Sequence, residues 1–342
     1  MERITEIHES EFGSKPDVIV SAPGGFHLIG EHTWYFKDKT LSMAIDLPVH
    51  MAASARTDSS LRFYFYETDE RKRGNVSTLK FRKEDRWANA LKAVIDGFMS
   101  CGFSCRGMNI TISSGVLPSV GFGITTALKI ATALVCKLLF HTSCSDVQLL
   151  QAIERGNKFF LQIGNYVANT YTSLYAETGC ALLIDHAKNT RTPIPFNFKD
   201  CSILLTDARV PRVSVWNEET VLTAENFLLM AELKVKKKDY WVYEDSPVEI
   251  ADIFSSRQED VRHKLICLMR EHQYVLDAVE GLKSENFKLF AKSVNKSHEG
   301  MRDEYNISCP EIDWLAKRAL EFDPPILRNT TACSRVTGRG YG

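Results

Sequence analysis

The segment Ala22-Pro-Gly-Gly-Phe-His-Leu-Ile-Gly-Glu-His-Thr-Trp34 constrains this chain more than any other stretch. Two adjacent glycines, Gly24 and Gly25, let backbone approach a ligand closely, and Leu28-Ile29 can anchor the loop in a core. Glu31 and His32 then present polar groups that a soluble fold rarely needs in that order. The β-branched run Asp17-Val-Ile-Val-Ser-Ala22 reads as a strand feeding this loop. Together they describe a binding loop.

Further strands are expected over Leu41–Arg56, Leu61–Tyr66, Met108–Ile112, Gly179–Asp185 and Cys201–Asp207. Helical spacing marks Arg86–Met99, Thr125–Phe140, Val147–Phe160, Glu218–Leu233, Val261–Glu280 and Ser284–Tyr305. Pro193 and Pro195 give the clearest linker signal, which divides the chain into domains of residues 1–194 and 195–342. Strands and helices mix without strict βαβ alternation, so the fold class is α+β. A chain of 342 residues suits two domains.

Composition removes several function classes. A net charge of −1 provides no field to gather nucleic acid or anionic membrane. Lys234, Lys236, Lys237 and Lys238 read as a solvated helix end. Nine cysteines without Cys-x-x-Cys spacing fit free thiols better than a disulfide framework or a zinc site. The polar, acidic N-terminus is no signal peptide, and the apolar run Ala127–Phe140 is too short to span a bilayer. A cytoplasmic protein, and a monomer, is the expectation.

A second glycine turn, Gly115-Val-Leu-Pro-Ser-Val-Gly-Phe-Gly123, opens the helix from Thr125. Such a turn directs free backbone N–H groups and the positive end of the helix dipole at an anion. Gly121 and Gly123 allow close approach, and the Thr125 and Thr126 hydroxyls can reach phosphate oxygens or a magnesium ion. A threonine at the start of a helix after a glycine turn is also a common structural device.

These motifs resemble those of galactokinases, within the GHMP small-molecule kinases. The first loop is similar to the family's Gly-Arg-Val-Asn-Leu-Ile-Gly-Glu-His-Thr-Asp-Tyr, keeping Leu28, Ile29, Gly30, Glu31, His32, Thr33 and Tyr35. Pro118–Ala127 is similar to Pro-x-Gly-x-Gly-Leu-Ser-Ser-Ser-Ala, with one extra residue after Pro118 and two threonines for three serines. Ser297–Asp313 and Cys333–Gly342 resemble two later signatures, with Arg339 where the family has glycine. By spacing alone, Ser297–Asp313 is a helix, a turn and the start of a second helix. The resemblance implies a two-domain GHMP kinase fold: an N-terminal nucleotide domain and a C-terminal domain lacking the family's last elements, with the active site between them. It also implies that ATP and Mg2+ are used. Trp87 would border the adenine or be a core tryptophan. Thr125 or Thr126 would be the magnesium-side hydroxyl, and Glu154 a magnesium ligand or an exposed helix residue. Glu31, His32 and the position of Trp34 would face the sugar.

The departures bear on activity. Gly25 replaces the family's Arg and Trp34 its sugar-binding Asp. Counting back from Gly179–Asp185 places Asn169 where the catalytic Asp stands, and a further sugar contact maps near Glu219. The stretch from Glu154 to Asn169 is about three residues longer than the family's. Between Glu154 and Glu177 there is no Asp or Glu, so no shift of register supplies a carboxylate base. Two functions follow. One is an ATP-dependent sugar kinase by descent, forming sugar 1-phosphate and ADP. The other is a non-catalytic homologue that binds a nucleotide or a small sugar-like metabolite as a sensor or partner protein.

Overall fold

A computed structural model of the chain describes residues 2–115, 122–164, 166–199, 201–210, 221–236, 257–321 and 332–338. Helix α1 (Glu2–Phe12) precedes strands β1 (Val18–Ala22), β2 (Gly25–Ile29), β3 (Lys39–Ala44), β4 (Val49–Ala55), β5 (Ser60–Phe65) and β6 (Glu70–Asn75). There follow α2 (Ala88–Ser100), β7 (Met108–Ser114), α3 (Ile124–Phe140), α4 (Asp146–Arg155) with a π turn over Gly156–Phe160, and α5 (Val167–Tyr175). The chain continues through β8 (Cys180–Asp185), β9 (Thr190–Pro195), α6 (Ala224–Lys236), α7 (Glu259–Lys283), α8 (Phe287–Asp303) and α9 (Pro310–Leu320). Two compact units result: Met1–Gly25 with Ala44–Tyr175, and Phe26–Met43 with Ala176–Gly342. They follow packing in space, so the chain leaves and re-enters the first unit.

In the first unit a five-stranded sheet runs in the order β1-β4-β7-β5-β6, antiparallel except for β5 beside β7. Strand alternation sorts its residues by face. Val49, Met51, Ala53, Met108, Ile110 and Ile112 are buried with the apolar residues of α2 and α3. The opposite face carries Ser54 and Thr111, to which the His8 ring bonds from α1 at 3.0 and 2.9 Å. Burial lowers the His8 imidazole to about 4, so it stays neutral between these hydroxyls. The polar first residues are thus a helix that closes the sheet.

The second unit holds a four-stranded sheet in the order β2-β3-β8-β9 and the antiparallel pair α7 and α8. Its core gathers Phe36, Leu265, Leu268, Met301, Tyr305, Ile307 and Val336.

Several expectations are corrected. The stretch Leu41–Arg56 is two strands, broken before Pro48, where the chain passes from one unit to the other. Pro193 and Pro195 lie inside β9, paired with Leu182 and Cys180, so the linker signal was an edge strand. Edge strands tolerate proline because one row of N–H groups has no partner to lose. The cut at 194/195 therefore falls within a strand. Residues 201–210 form no regular element. The polar aromatic stretch before Tyr175 is α5, and Val147–Phe160 is α4 followed by the π turn. Around Ser297–Asp313, α8 ends at Asp303 and α9 begins at Pro310, as the spacing indicated. Gly121, Pro118, Glu219, Lys237, Lys238 and Arg339 lie outside the described residues. The nine cysteines carry free thiols, and no helix among the described residues is long and apolar enough to cross a membrane.

The π turn depends on a close helix crossing. A Cβ added to Gly156 would stand 2.1 Å from the Ala93 carbonyl oxygen of α2. Gly156→Ala should therefore force α2 and the π turn apart and cost about 2–4 kcal/mol. A fall of several degrees in the thermal unfolding midpoint is the expected result.

Candidate functional site

The first unit brings three of the sequence-marked segments together. The Gly25 N–H donates to the Phe122 carbonyl at 2.9 Å, and the Ile45 N–H donates to the Gly24 carbonyl at 3.1 Å. A Cβ on Gly24 would sit 2.2 Å from the Phe122 oxygen, so this approach of backbone on backbone excludes any side chain. Phe122 and Gly123 both adopt left-handed φ, at 48° and 70°, which turns the chain sharply into α3. Gly123 stands at the N-cap and offers no side-chain cap. The first closed helical bond runs from Ala127 N–H to Gly123 O, so the N–H groups of Ile124, Thr125 and Thr126 end the helix. Thr125 is exposed and Thr126 half-buried beside them.

Helix α5 joins from the other side. Its Ser173 hydroxyl donates to the Pro23 carbonyl at 2.7 Å, tying the helix to the first glycine loop. Asn169 lies one turn earlier on the same face and is half-buried. The loop of Gly25, the turn of Gly123 and the helix of Asn169 thus share one neighbourhood.

Trp87 and Glu154 sit apart from these bonds. Trp87 precedes α2, meets the Phe65 ring edge at a centroid distance of 5.3 Å and donates from Nε1 to Glu70 at 2.7 Å. It is a partly buried member of the first unit's core. Glu154 is exposed on α4. Three places further on, within the π turn, Asn157 is buried and accepts a hydrogen bond from Lys129 Nζ at 2.6 Å. Burial pushes the Lys129 ammonium down from 10.5 to about 8.

The family resemblance implies magnesium, for which the half-buried Thr126 and the exposed Glu154 are the residues it would assign. Mg2+ is usually held by one or two carboxylates together with substrate phosphates. Among the described residues, no three His, Cys, Asp or Glu side chains gather into a group that could hold a metal ion. The buried pair nearest in sequence to Thr126 and Glu154 is a lysine and a neutral amide.

In the second unit, Glu31 is fully buried and both of its oxygens are engaged. Oε2 accepts from Arg335 at 2.8 Å, and Oε1 accepts from the Gly338 N–H at 3.0 Å. Arg335 also donates to the Leu28 carbonyl, while Thr337 exchanges two hydrogen bonds with the His27 backbone. The last signature is therefore clamped along β2. Burial alone would raise the Glu31 carboxyl, but Arg335, with His32 and His27, holds it below the ordinary range. Glu271 of α7 accepts from the Gly30 N–H and the Ser297 hydroxyl, each at 2.9 Å, and burial raises its carboxyl. His32 is buried against the Tyr305 ring at 4.9 Å, and Trp34 is half-exposed in a short 3-10 turn.

Sequence reading missed Lys129, Asn157 and Glu271, and gave Arg335 no role of its own. A lysine inside the apolar run Ala127–Phe140 was the one available signal for Lys129.

Comparison with known proteins bears on this arrangement. Among solved structures, the galactokinase of Lactococcus lactis complexed with galactose matches with a TM-score of 0.80 at 19% identity, covering 100% of this chain and 88% of that one. The mevalonate kinase of Methanococcus jannaschii matches at 0.56 and 18% identity, covering 89% and 84%. The fold is that of the GHMP small-molecule kinases. Residues 6–55 match the galactokinase galactose-binding signature. A Treponema pallidum protein named "Putative galactokinase" is 38% identical over 100% of this chain and 86% of its own length. The galactokinase of Bos taurus is 27% identical over 97% of this chain and 83% of its own. This chain belongs to the galactokinase family.

Two outcomes are expected from the buried charges. Arg335→Met strands Glu31 in the interior and should cost about 3–5 kcal/mol, read as a large drop in the unfolding midpoint. Lys129→Met should instead stabilise the protein at pH 7 by roughly 2–3 kcal/mol. Between pH 8 and 10.5 the folded wild type holds fewer protons at Lys129 than the unfolded chain, so its stability rises with pH there. The advantage of the Met variant should therefore fade over that window in melting curves.

Proposed function

We propose that this chain is a nucleotide-binding galactokinase homologue that does not phosphorylate galactose at an enzyme's rate and acts as a sensor or partner protein. The observation that carries this reading is Asn169 on α5, in a segment from residue 155 to 176 that holds no Asp or Glu. An amide cannot take the sugar hydroxyl proton, and loss of general-base help typically costs about two to four orders of magnitude. Gly25 compounds the loss, because it removes a cation that would stabilise developing charge. Trp34 removes a carboxylate that would accept from sugar hydroxyls, since indole only donates. Glu31 then serves to hold Arg335 and Gly338 in place.

ATP is supported as the ligand by the turn at Phe122–Gly123, which leads directly into the first N–H groups of α3, a favourable place for phosphate oxygens. One observation favours a second reading, a slow kinase acting on a different small sugar. The helix carrying Asn169 is still anchored to the glycine loop through Ser173, and phosphoryl transfer relies chiefly on positioning.

The purified protein, assayed for ADP release with ATP, magnesium and a panel of sugars, should show no sugar-dependent turnover above background. Turnover at an ordinary rate of roughly 1–100 per second with any sugar would establish the second reading in its place.

A further inference from the structure

Between α7 and α8, wholly inside the second unit, lies a cavity of about 230 Å3. That is room for a small metabolite and far larger than an inorganic ion. Each helix supplies one side: Arg270, Glu271 and Tyr274 from α7, Lys296, Glu299 and Gly300 from α8. Gly300 keeps the space open. A Cβ there would stand 3.1 Å from the Cys267 sulfur and meet nothing else within 4 Å.

The cations on the walls have carboxylates of their own. Arg270 pairs with Glu304, just beyond α8, and Lys296 with Glu299 at 3.0 Å, while Asp303 is held by Arg302. Glu271 is different. Only 1% of it is exposed, yet it lines the cavity. Its Oε1 accepts from both the Gly30 N–H and the Ser297 hydroxyl, while its Oε2 has no hydrogen-bond partner among the described residues. The buried cation that acts on it, Arg335, is already bonded to Glu31 at 2.8 Å. Two buried carboxylates therefore share one guanidinium, and burial leaves the Glu271 carboxyl raised. A buried carboxylate oxygen that opens on a cavity without a cation of its own is costly until a positive group meets it.

We propose that this cavity binds a small organic amine, whose ammonium group donates to Oε2 of Glu271. Such a charge-assisted bond is about twice as strong as one between neutral groups. Tyr274 suits the ligand, because aromatic residues attract ammonium groups. Arg270 and Lys296 are donors for oxygen atoms elsewhere on the same molecule, as in an amino alcohol or an amino acid. A metal ion is the poorer occupant: among the described residues, no three His, Cys, Asp or Glu side chains gather to hold one. The site lies within the second unit and stands whether or not α3 receives a nucleotide.

Isothermal titration of the full chain at neutral pH tests this with ethanolamine, glycine, putrescine and D-glucosamine, each against the compound in which hydroxyl replaces amine. At least one amine should bind with a dissociation constant below about 1 mM, and its hydroxyl counterpart about tenfold or more weakly. Glu271→Gln keeps an oxygen for Gly30 and Ser297 but sets an NH2 group in place of Oε2, and should weaken that amine by about tenfold or more. Gly300→Ala leaves Glu271 intact and favours the helix, but puts a methyl group into the cavity and should weaken the amine by about threefold or more. It carries the test if the Gln variant fails to fold. Absence of binding by all four amines, equal binding of the hydroxyl counterparts, or wild-type affinity in either folded variant overturns the inference.

Discussion

A single backbone hydrogen bond, from Gly25 N–H to the Phe122 carbonyl, organises the first unit's candidate site. It forms because neither Gly24 nor Gly123 carries a side chain: a Cβ would stand 2.2 Å from the Phe122 oxygen at the one and 2.7 Å from the Gly25 nitrogen at the other. With Phe122 and Gly123 held in left-handed conformations, α3 starts immediately beyond, its first N–H groups uncapped by any side chain of its own. The bond from Ser173 to Pro23 then sets α5, and with it Asn169, against the same loop. The turn that opens α3 and the helix that carries Asn169 are therefore set by the same few contacts to the first glycine loop.

Buried charge is handled in two opposite ways. In the second unit, Arg335 is matched by Glu31 and bonded to the Leu28 carbonyl, so a costly ion pair becomes the clamp that lays the last motif along β2. Glu271 is also near the Arg335 charge, but its hydrogen bonds come from neutral donors, Gly30 N–H and Ser297, and burial leaves its carboxyl raised. In the first unit, Lys129 donates to the neutral Asn157 amide and has no ion-pair partner among the described residues. The first arrangement matches charge with charge; the second leaves a buried ammonium against a neutral amide, and burial lowers its pKa to about 8.

Much of this was legible in the residues. The β-branched run into Gly24-Gly25, the helix from Thr125 and the acid-free segment after Glu154 could be read without coordinates, because each depends on local conformational preference or on simple counting. Other features could not. Pro193 and Pro195 looked like a linker, since local signals do not say whether a proline lies in a loop or on a sheet edge. The polar N-terminal stretch gave no sign of being a helix because only Ile4 and His8 are buried, the latter by hydroxyls over forty residues away. Glu31 looked available to a sugar until Arg335, 304 residues further on, was found against it.

The sequence by itself determined the family motifs in their order, the α+β class and the absence of any Asp or Glu from the segment 155–176 that holds Asn169, since each is a matter of which residues are present. Only the tertiary structure decided what those residues do. It engaged both oxygens of Glu31, placed Trp87 on Phe65, left Glu154 at the surface and buried Lys129 against an amide. The reason is physical: a side chain's charge state and availability depend on groups brought near it by folding, and no local pattern records which distant partner will arrive.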